Sequence, residues 1–306
     1  MGKPLALISM GSLVLGLLFL YGSREGEFPV VQAAADTELG KRLYLQNCAA
    51  CHGEKGDGLG PEAHRLRTKP RDFTSGVYKF RSTRSGSLPT DHDIFRTISQ
   101  GVRTTSMLAQ LHLSESERWA LTAYLKTFSE RFKTEKPADP IAIPAEPSPT
   151  RDLITLGKRL YVDAGCAECH DTKGRGDGPS AKDLKDEAGN QIAPADLTVR
   201  PFKAGSKPQD LYRTISTGFN GTPMPSYSDV LSAKERWAIV HYILSIATRE
   251  KPRGMMGLVG EEIDGMHIDM QAAMAGMMGG RGMMRRDGGS MMHRNMQDMM
   301  KDMMGK

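Results

Sequence analysis

Cys166-Ala-Glu-Cys-His170 is the stretch from which the rest of the chain is read. Two cysteines three apart, followed directly by a histidine, form the attachment signature of a c-type haem. The spacing has a chemical reason. Two thiols a short turn apart can each add to one vinyl group on a porphyrin edge, and the histidine is then held under the iron. The same pattern occurs earlier as Cys48-Ala-Ala-Cys-His52, and the two motifs use all 4 cysteines of the chain. No thiol is left for a disulfide, a thiolate nucleophile or a Cys-rich zinc site. A reduced redox pair or half of a zinc site is the competing reading, and it leaves both adjacent histidines unexplained.

Working outward, the surroundings of the motif are written twice. Leu39-Gly-Lys-Arg-Leu-Tyr44 recurs as Leu156-Gly-Lys-Arg-Leu-Tyr161, and Gly56-Asp-Gly-Leu-Gly-Pro61 as Gly174-Arg-Gly-Asp-Gly-Pro179. Pro70-Arg-Asp-Phe-Thr74 matches Pro194-Ala-Asp-Leu-Thr198, and Phe95-Arg-Thr-Ile-Ser99 matches Tyr212-Arg-Thr-Ile-Ser216. Small insertions separate the copies, the largest being a longer loop around Tyr78–Pro89 in the first. The repeat predicts domains at 36–132 and 151–250, each near the size at which a small core just suffices. Residues 133–150 form the linker. Its stretch from Lys136 to Pro149 carries five prolines, a composition that favours a semi-rigid strap.

Each copy reads as mainly helical. Leu39, Leu43 and Tyr44 give a helical face running into the first cysteine. A capping box opens the last helix of both copies, Ser114-x-x-Glu117 and Ser232-x-x-Glu235. Trp119, Ala123 and Tyr124, repeated by Trp237, His241 and Tyr242, form stripes expected to be core. His241 is read as a satisfied histidine.

The methionines supply a second ligand for each iron. Between Asp36 and Glu250 only Met107 and Met224 occur, 55 and 54 residues after their histidines. That matched position makes both candidate axial ligands, with His52 and His170 on the opposite faces. Met224 sits in the stiff Gly221-Thr-Pro-Met-Pro225; Met107 lacks flanking prolines. If Met107 does not bind, His112, His92 or His64 would compete, or the site would be open. A thioether in the sixth position raises the potential and leaves substrate no vacant site. Each proximal imidazole needs an acceptor for its other N–H, and backbone carbonyls near Pro61 and Pro179 are expected to serve.

These motifs, from about residue 36 to 249, resemble class I cytochrome c domains: helix into Cys-x-x-Cys-His, Gly-Pro loop, distal methionine loop, C-terminal helix. The whole resembles the diheme cytochromes c of bacterial respiratory chains. The resemblance implies a mainly α fold of two tandem domains, each closed around a haem with one porphyrin edge exposed. The two haem c groups would be covalent, held by Cys48, Cys51, Cys166 and Cys169. The expected function is electron transfer, as a carrier or as a subunit of a redox complex. A diheme enzyme of the peroxidase type is the alternative, since it too carries two haem motifs. It needs one iron able to open, against which the matched methionines argue.

The ends set location. Residues 1–35 hold an uncharged apolar stretch, Pro4 to Ser23, after Lys3 and before Arg24. It is read as an N-terminal apolar helix anchoring the chain, with a cleaved signal as the alternative. Either places the domains on the periplasmic side of a bacterial membrane. Residues 251–306 carry 16 of the 20 methionines. This Met/Gly-rich tail is read as flexible, with a docking helix and Cu(I) binding, assisted by His267 and His293, as alternatives. A copper-handling protein would be the matching third function.

Net charge is only +5, with no basic run interleaved with aromatics, so nucleic acid is excluded as a partner. Between Pro61 and Arg103 nine Lys and Arg face four acids. That excess is read either as a solvated surface or as a docking face for redox proteins with an acidic face.

Overall fold

Two helix pairs, each crossing through a glycine, organise the molecule. The computed structural model of the chain describes residues 30–250, with side chains from residue 36 onward. The apolar N-terminal stretch and the Met-rich tail, with its Cu(I) reading, lie outside the described residues. Among the described residues, no helix is long and apolar enough to cross a membrane.

In the first repeat, α1 (Val30–Asn47) runs into α2 (Ala49–His52), which carries the haem motif; α3 (Asp91–Gln100), α4 (Glu115–Lys126) and the short α5 (Arg131–Thr134) follow. In the second, α6 (Arg151–Asp163) leads to α7 (Cys166–His170), then α8 (Pro208–Thr217) and α9 (Ala233–Ile246). A two-residue parallel pair, β1 (Val199–Arg200) with β2 (Arg249–Glu250), pins the chain end of the second repeat.

The first helix of each repeat and its last long helix, α1 with α4 and α6 with α9, pack so closely that no side chain fits between them. A Cβ placed on Gly40 would lie 2.2 Å from the Ala120 carbonyl oxygen, and one on Gly157 1.9 Å from that of Ala238. Leu43, Tyr44, Leu121 and Leu125 form the core beside the first crossing; Tyr161, Ile239, Tyr242 and Ile243 form it beside the second. Both expected capping boxes are present, with Ser114 and Ser232 accepting from the backbone of Glu117 and Glu235.

The expected core stripe on the last helix holds in the second repeat and not in the first. Trp237, His241 and Tyr242 are buried, whereas Trp119, Ala123 and Tyr124 are only half-buried. Trp119 stacks on Phe95 of α3 at 4.1 Å. The inward face of α4 is Ala120, Leu121 and Leu125. The linker explains part of the difference: Ile143 packs against the second core, and Pro147 O accepts from His241 Nε2 at 3.0 Å. At its other end, Ile141 N donates to Ser82 O of the first repeat at 2.8 Å. The proline-rich segment is therefore a strap fastened to both halves, and His241 is a satisfied buried histidine.

A seam joins the halves directly. Arg81, 2% exposed, donates to Thr217 O at 2.6 Å and Gly218 O at 3.3 Å, at the C-terminal end of α8. A cation at the carbonyl end of a helix is favourably placed against the helix dipole. Phe80 meets Phe219 edge-on at 5.5 Å, and Asn220 Oδ1 accepts from Gly86 N at 3.0 Å. The longer loop of the first repeat supplies Phe80, Arg81 and Gly86, so its extra length serves this contact.

Candidate functional site

Each haem motif is a short helix held from behind by a glycine loop. Gly58 N donates to His52 O and Gly60 N to Cys51 O; Gly176 N and Gly178 N do the same for His170 O and Cys169 O. A Cβ on Gly60 or Gly178 would approach motif carbonyls within 2.4 and 2.5 Å. Tyr44 and Tyr161 fix the far side, donating from their hydroxyls to Gly53 O at 2.7 Å and Asp171 O at 2.8 Å.

That loop turns its N–H groups toward the motif, which corrects one expectation. The acceptors for the histidines are not carbonyls near Pro61 and Pro179. His52 Nδ1 donates to Arg71 O at 3.0 Å and His170 Nδ1 to Ala195 O at 2.9 Å. Both carbonyls belong to the residue after a proline in the repeated Pro70-Arg-Asp-Phe-Thr74 and Pro194-Ala-Asp-Leu-Thr198 segments. The repeat contained the signal, but which of two prolines faces the ring is a matter of chain path. Because a carbonyl only accepts, Nδ1 carries the proton and Nε2 keeps the lone pair. Burial holds both histidines below the ordinary imidazole range, so they stay neutral.

The cysteines of each motif are free and half-buried. Burial, followed by the neighbouring Cys51, pushes the Cys48 thiol up to about 12; burial also raises Cys51 and Cys166. As neutral thiols Cys48, Cys51 and Cys166 are poor thiolate nucleophiles. Among the described residues no three His, Cys, Asp or Glu side chains gather as a metal site.

Met107 and Met224 occupy turns of the same design between the third and last helices of their repeats. Val102 N donates to Met107 O at 2.9 Å and Phe219 N to Met224 O at 3.1 Å; Gln110 N and Tyr227 N close the turns on Ile98 O and Ile215 O. Both methionines are half-buried. The prolines beside Met224 are thus not needed for the turn. His64, His92 and His112, the competing ligands, are exposed; His64 Nδ1 faces Pro61 O and His112 Nε2 faces Asn47 Oδ1.

The cytochrome c family model matches residues 37–129 and again 154–247. The chain belongs to the cytochrome c family. Similarity extends to a solved chain of the reducing HAO-like protein complex of Kuenenia stuttgartiensis, with 46% identity and a TM-score of 0.68. That match covers 69% of this chain and 96% of the other. A curated relative, the Cbb3-type cytochrome c oxidase subunit CcoP of Helicobacter pylori, is 26% identical over 167 residues. The match takes in 53% of this chain and 42% of that relative, so the chain spans about two fifths of the relative's length.

Two cytochrome c domains imply two covalently bound haem c groups, and the residues present fit them. Each repeat offers a lone-pair nitrogen, two reduced thiols and a thioether, the donor set a c-type haem uses. Tyr78 adds a buried hydroxyl with no hydrogen-bond partner among the described residues. It stacks on Phe73 at 5.9 Å, which stacks on His52 at 4.5 Å. A buried donor of this kind calls for an acceptor, and a porphyrin carries carboxylates.

One cytochrome c turn is strained. Thr104 sits at φ +65, where the second domain has Gly221 at φ +72. A β-branched residue in this region costs about 1–3 kcal/mol, partly offset by the looser unfolded chain that glycine brings. Thr104→Gly should therefore stabilise the first domain by about 1 kcal/mol, raising its thermal midpoint by about 4–8 °C. Thermal unfolding followed by circular dichroism checks this, and an unchanged or lower midpoint contradicts it.

Proposed function

We propose that the chain relays single electrons through two haem c sites as a subunit of a larger redox complex on the periplasmic side of a bacterial membrane. Cys48 and Cys51 would hold one porphyrin and Cys166 and Cys169 the other, with His52 and Met107 available to the first iron and His170 and Met224 to the second. When bound, each haem supplies an iron that alternates between ferrous and ferric states.

The chain's own residues do the rest. Arg71 O and Ala195 O fix the ring orientation and make Nε2 the ligating nitrogen. The matched turns present a thioether from a fixed backbone, which favours the ferrous state over a second imidazole. With an imidazole and a thioether both bound, such an iron would have only an electron to exchange. The single observation that carries the reading is this duplication: the same imidazole acceptor geometry and the same methionine turn occur in both halves.

The company of such a subunit is read from its relatives, one named for an oxidase and the other for an HAO-like complex. A redox partner with an acidic face suits the basic excess of the first domain, less the part spent internally. Arg71, Arg96 and Arg65 are in ion pairs and Arg81 is buried in the seam.

Near-infrared spectroscopy of the oxidised protein tests the ligand set, because sulfur bound to ferric iron gives its own weak band. Met107→Leu and Met224→Leu should each remove about half of that band and lower one midpoint potential. A variant with the full band excludes that methionine. Peroxide turnover with a high-spin haem in the unmodified protein would favour the peroxidase-type alternative.

A further inference from the structure

One contact in the seam ties the proximal side of the first site to the distal side of the second. Arg71, whose carbonyl holds His52, reaches across with its guanidinium to pair with Glu187. Glu187 N in turn donates to Gly221 O at 3.0 Å. Its carboxylate also lies against Gly221, 2.7 and 2.8 Å from where a Cβ would stand. Gly221 opens the turn that ends in Met224.

The chain has built this contact from parts that differ between the halves. Leu66 and Pro70 are four residues apart, whereas their counterparts Leu184 and Pro194 are ten apart. Glu187 lies on the added residues. They fold back on themselves: Asp186 N donates to Asn190 O at 2.9 Å, and the Asp186 carboxylate takes Asn190 N at 2.9 Å. Arg71 has no equivalent in the second domain, where Ala195 stands. An insertion in one copy thus meets a guanidinium present only in the other.

As a stability device the pair would be modest, since its side chains are 17% and 36% exposed and partly screened ion pairs contribute little. Its placement matters more. Arg71 is mostly buried, so turning its side chain turns the residue whose carbonyl orients the His52 ring. Glu187 is held at both backbone and carboxylate beside the methionine turn. Other charges press on the same spot: Lys79 is pushed down to about 8 by burial and by Arg71, with Asp186, Glu187 and Lys203 nearby.

We infer that Glu187 is a positioning residue that couples the two haem sites through Arg71 on one side and Gly221 on the other. The inference rests on the His/Met reading above. Whatever displaces the Glu187 loop then acts on both irons, through the imidazole of one and the thioether of the other.

The test uses the full chain with both haems, Glu187→Gln, Glu187→Asp, and a spectroelectrochemical titration resolving two midpoint potentials. Glu187→Gln removes a negative charge and leaves Arg71 unpaired, so both potentials should rise, since ferric iron is the more positive state. Glu187→Asp keeps the charge and loses the reach to Arg71; it should also displace both potentials. If Asp matches the unmodified protein, charge alone acts and the positioning role is overturned. If either variant moves one potential only, the coupling is overturned. Absence of the sulfur-to-iron band in the unmodified protein would overturn the ligand reading beneath the inference, and is seen before any variant is made.

Discussion

A chain carrying Cys166→Ser and Cys169→Ser should retain one covalently attached haem instead of two, and its second domain should lose most of its helical structure. On the proposed reading both thioether bonds of that site come from these sulfurs, and a serine hydroxyl adds to a vinyl group far less readily. Loss of the group also removes apolar surface that a domain of about 95 residues cannot replace from its own side chains. A ligand present at a thousand times its dissociation constant stabilises by about 4 kcal/mol. A covalently retained one contributes at least as much, against a domain total of about 5–15 kcal/mol. Intact mass and haem quantification on denatured protein read the first effect, and far-ultraviolet circular dichroism the second. Two covalent haems in the variant would refute the assignment. Cys48→Ser with Cys51→Ser should strip the first site in the same way and spare the second.

The other large effect comes from a methyl group. On an exposed helix face, glycine to alanine gains about 1 kcal/mol. At Gly157 the added carbon would stand 1.9 Å from Ala238 O and 3.0 Å from Tyr242 Cβ. The first of these is backbone and cannot rotate aside, so α6 and α9 must separate. Overpacking of this kind costs about 1–3 kcal/mol and sometimes more, which reverses the usual sign. Gly157→Ala should lower the thermal midpoint of the second domain by about 10–20 °C. Gly40→Ala should act similarly in the first, where the clash with Ala120 O at 2.2 Å is slightly milder. A midpoint that rises in either variant would mean the helices do not cross where they are drawn here.

Those two glycines show what a single sequence reveals and what it withholds. Both stand in the repeated Leu-Gly-Lys-Arg-Leu-Tyr, whose apolar residues announce a helical face while its glycine does not announce a crossing. Their partners, Ala120 and Ala238, lie some eighty residues on and carry no signature of their own. Local features were legible throughout: the two Cys-x-x-Cys-His turns, the serine caps, the matched methionines, the proline-rich strap. Each is decided by neighbours within a few residues. The carbonyl that accepts from His52 Nδ1 is not the one expected, because two prolines follow each motif and only the path of the loop selects between them. The half-buried state of Trp119 was missed for a related reason, since its counterpart Trp237 belongs to a core against which the strap packs. Nothing in the sequence marks Arg81 or Glu187 as seam residues, because a contact between two repeats leaves no periodicity in either one.

The strap has a consequence for how such a protein meets its partners. With Ile141 hydrogen-bonded to the first domain and His241 gripping Pro147 at the second, its conformational freedom is spent before any encounter. A protein that grasps one lobe therefore sets the position of the other at no further entropic cost. The molecule then behaves as a ruler, and the span between donor and acceptor is written into its own backbone.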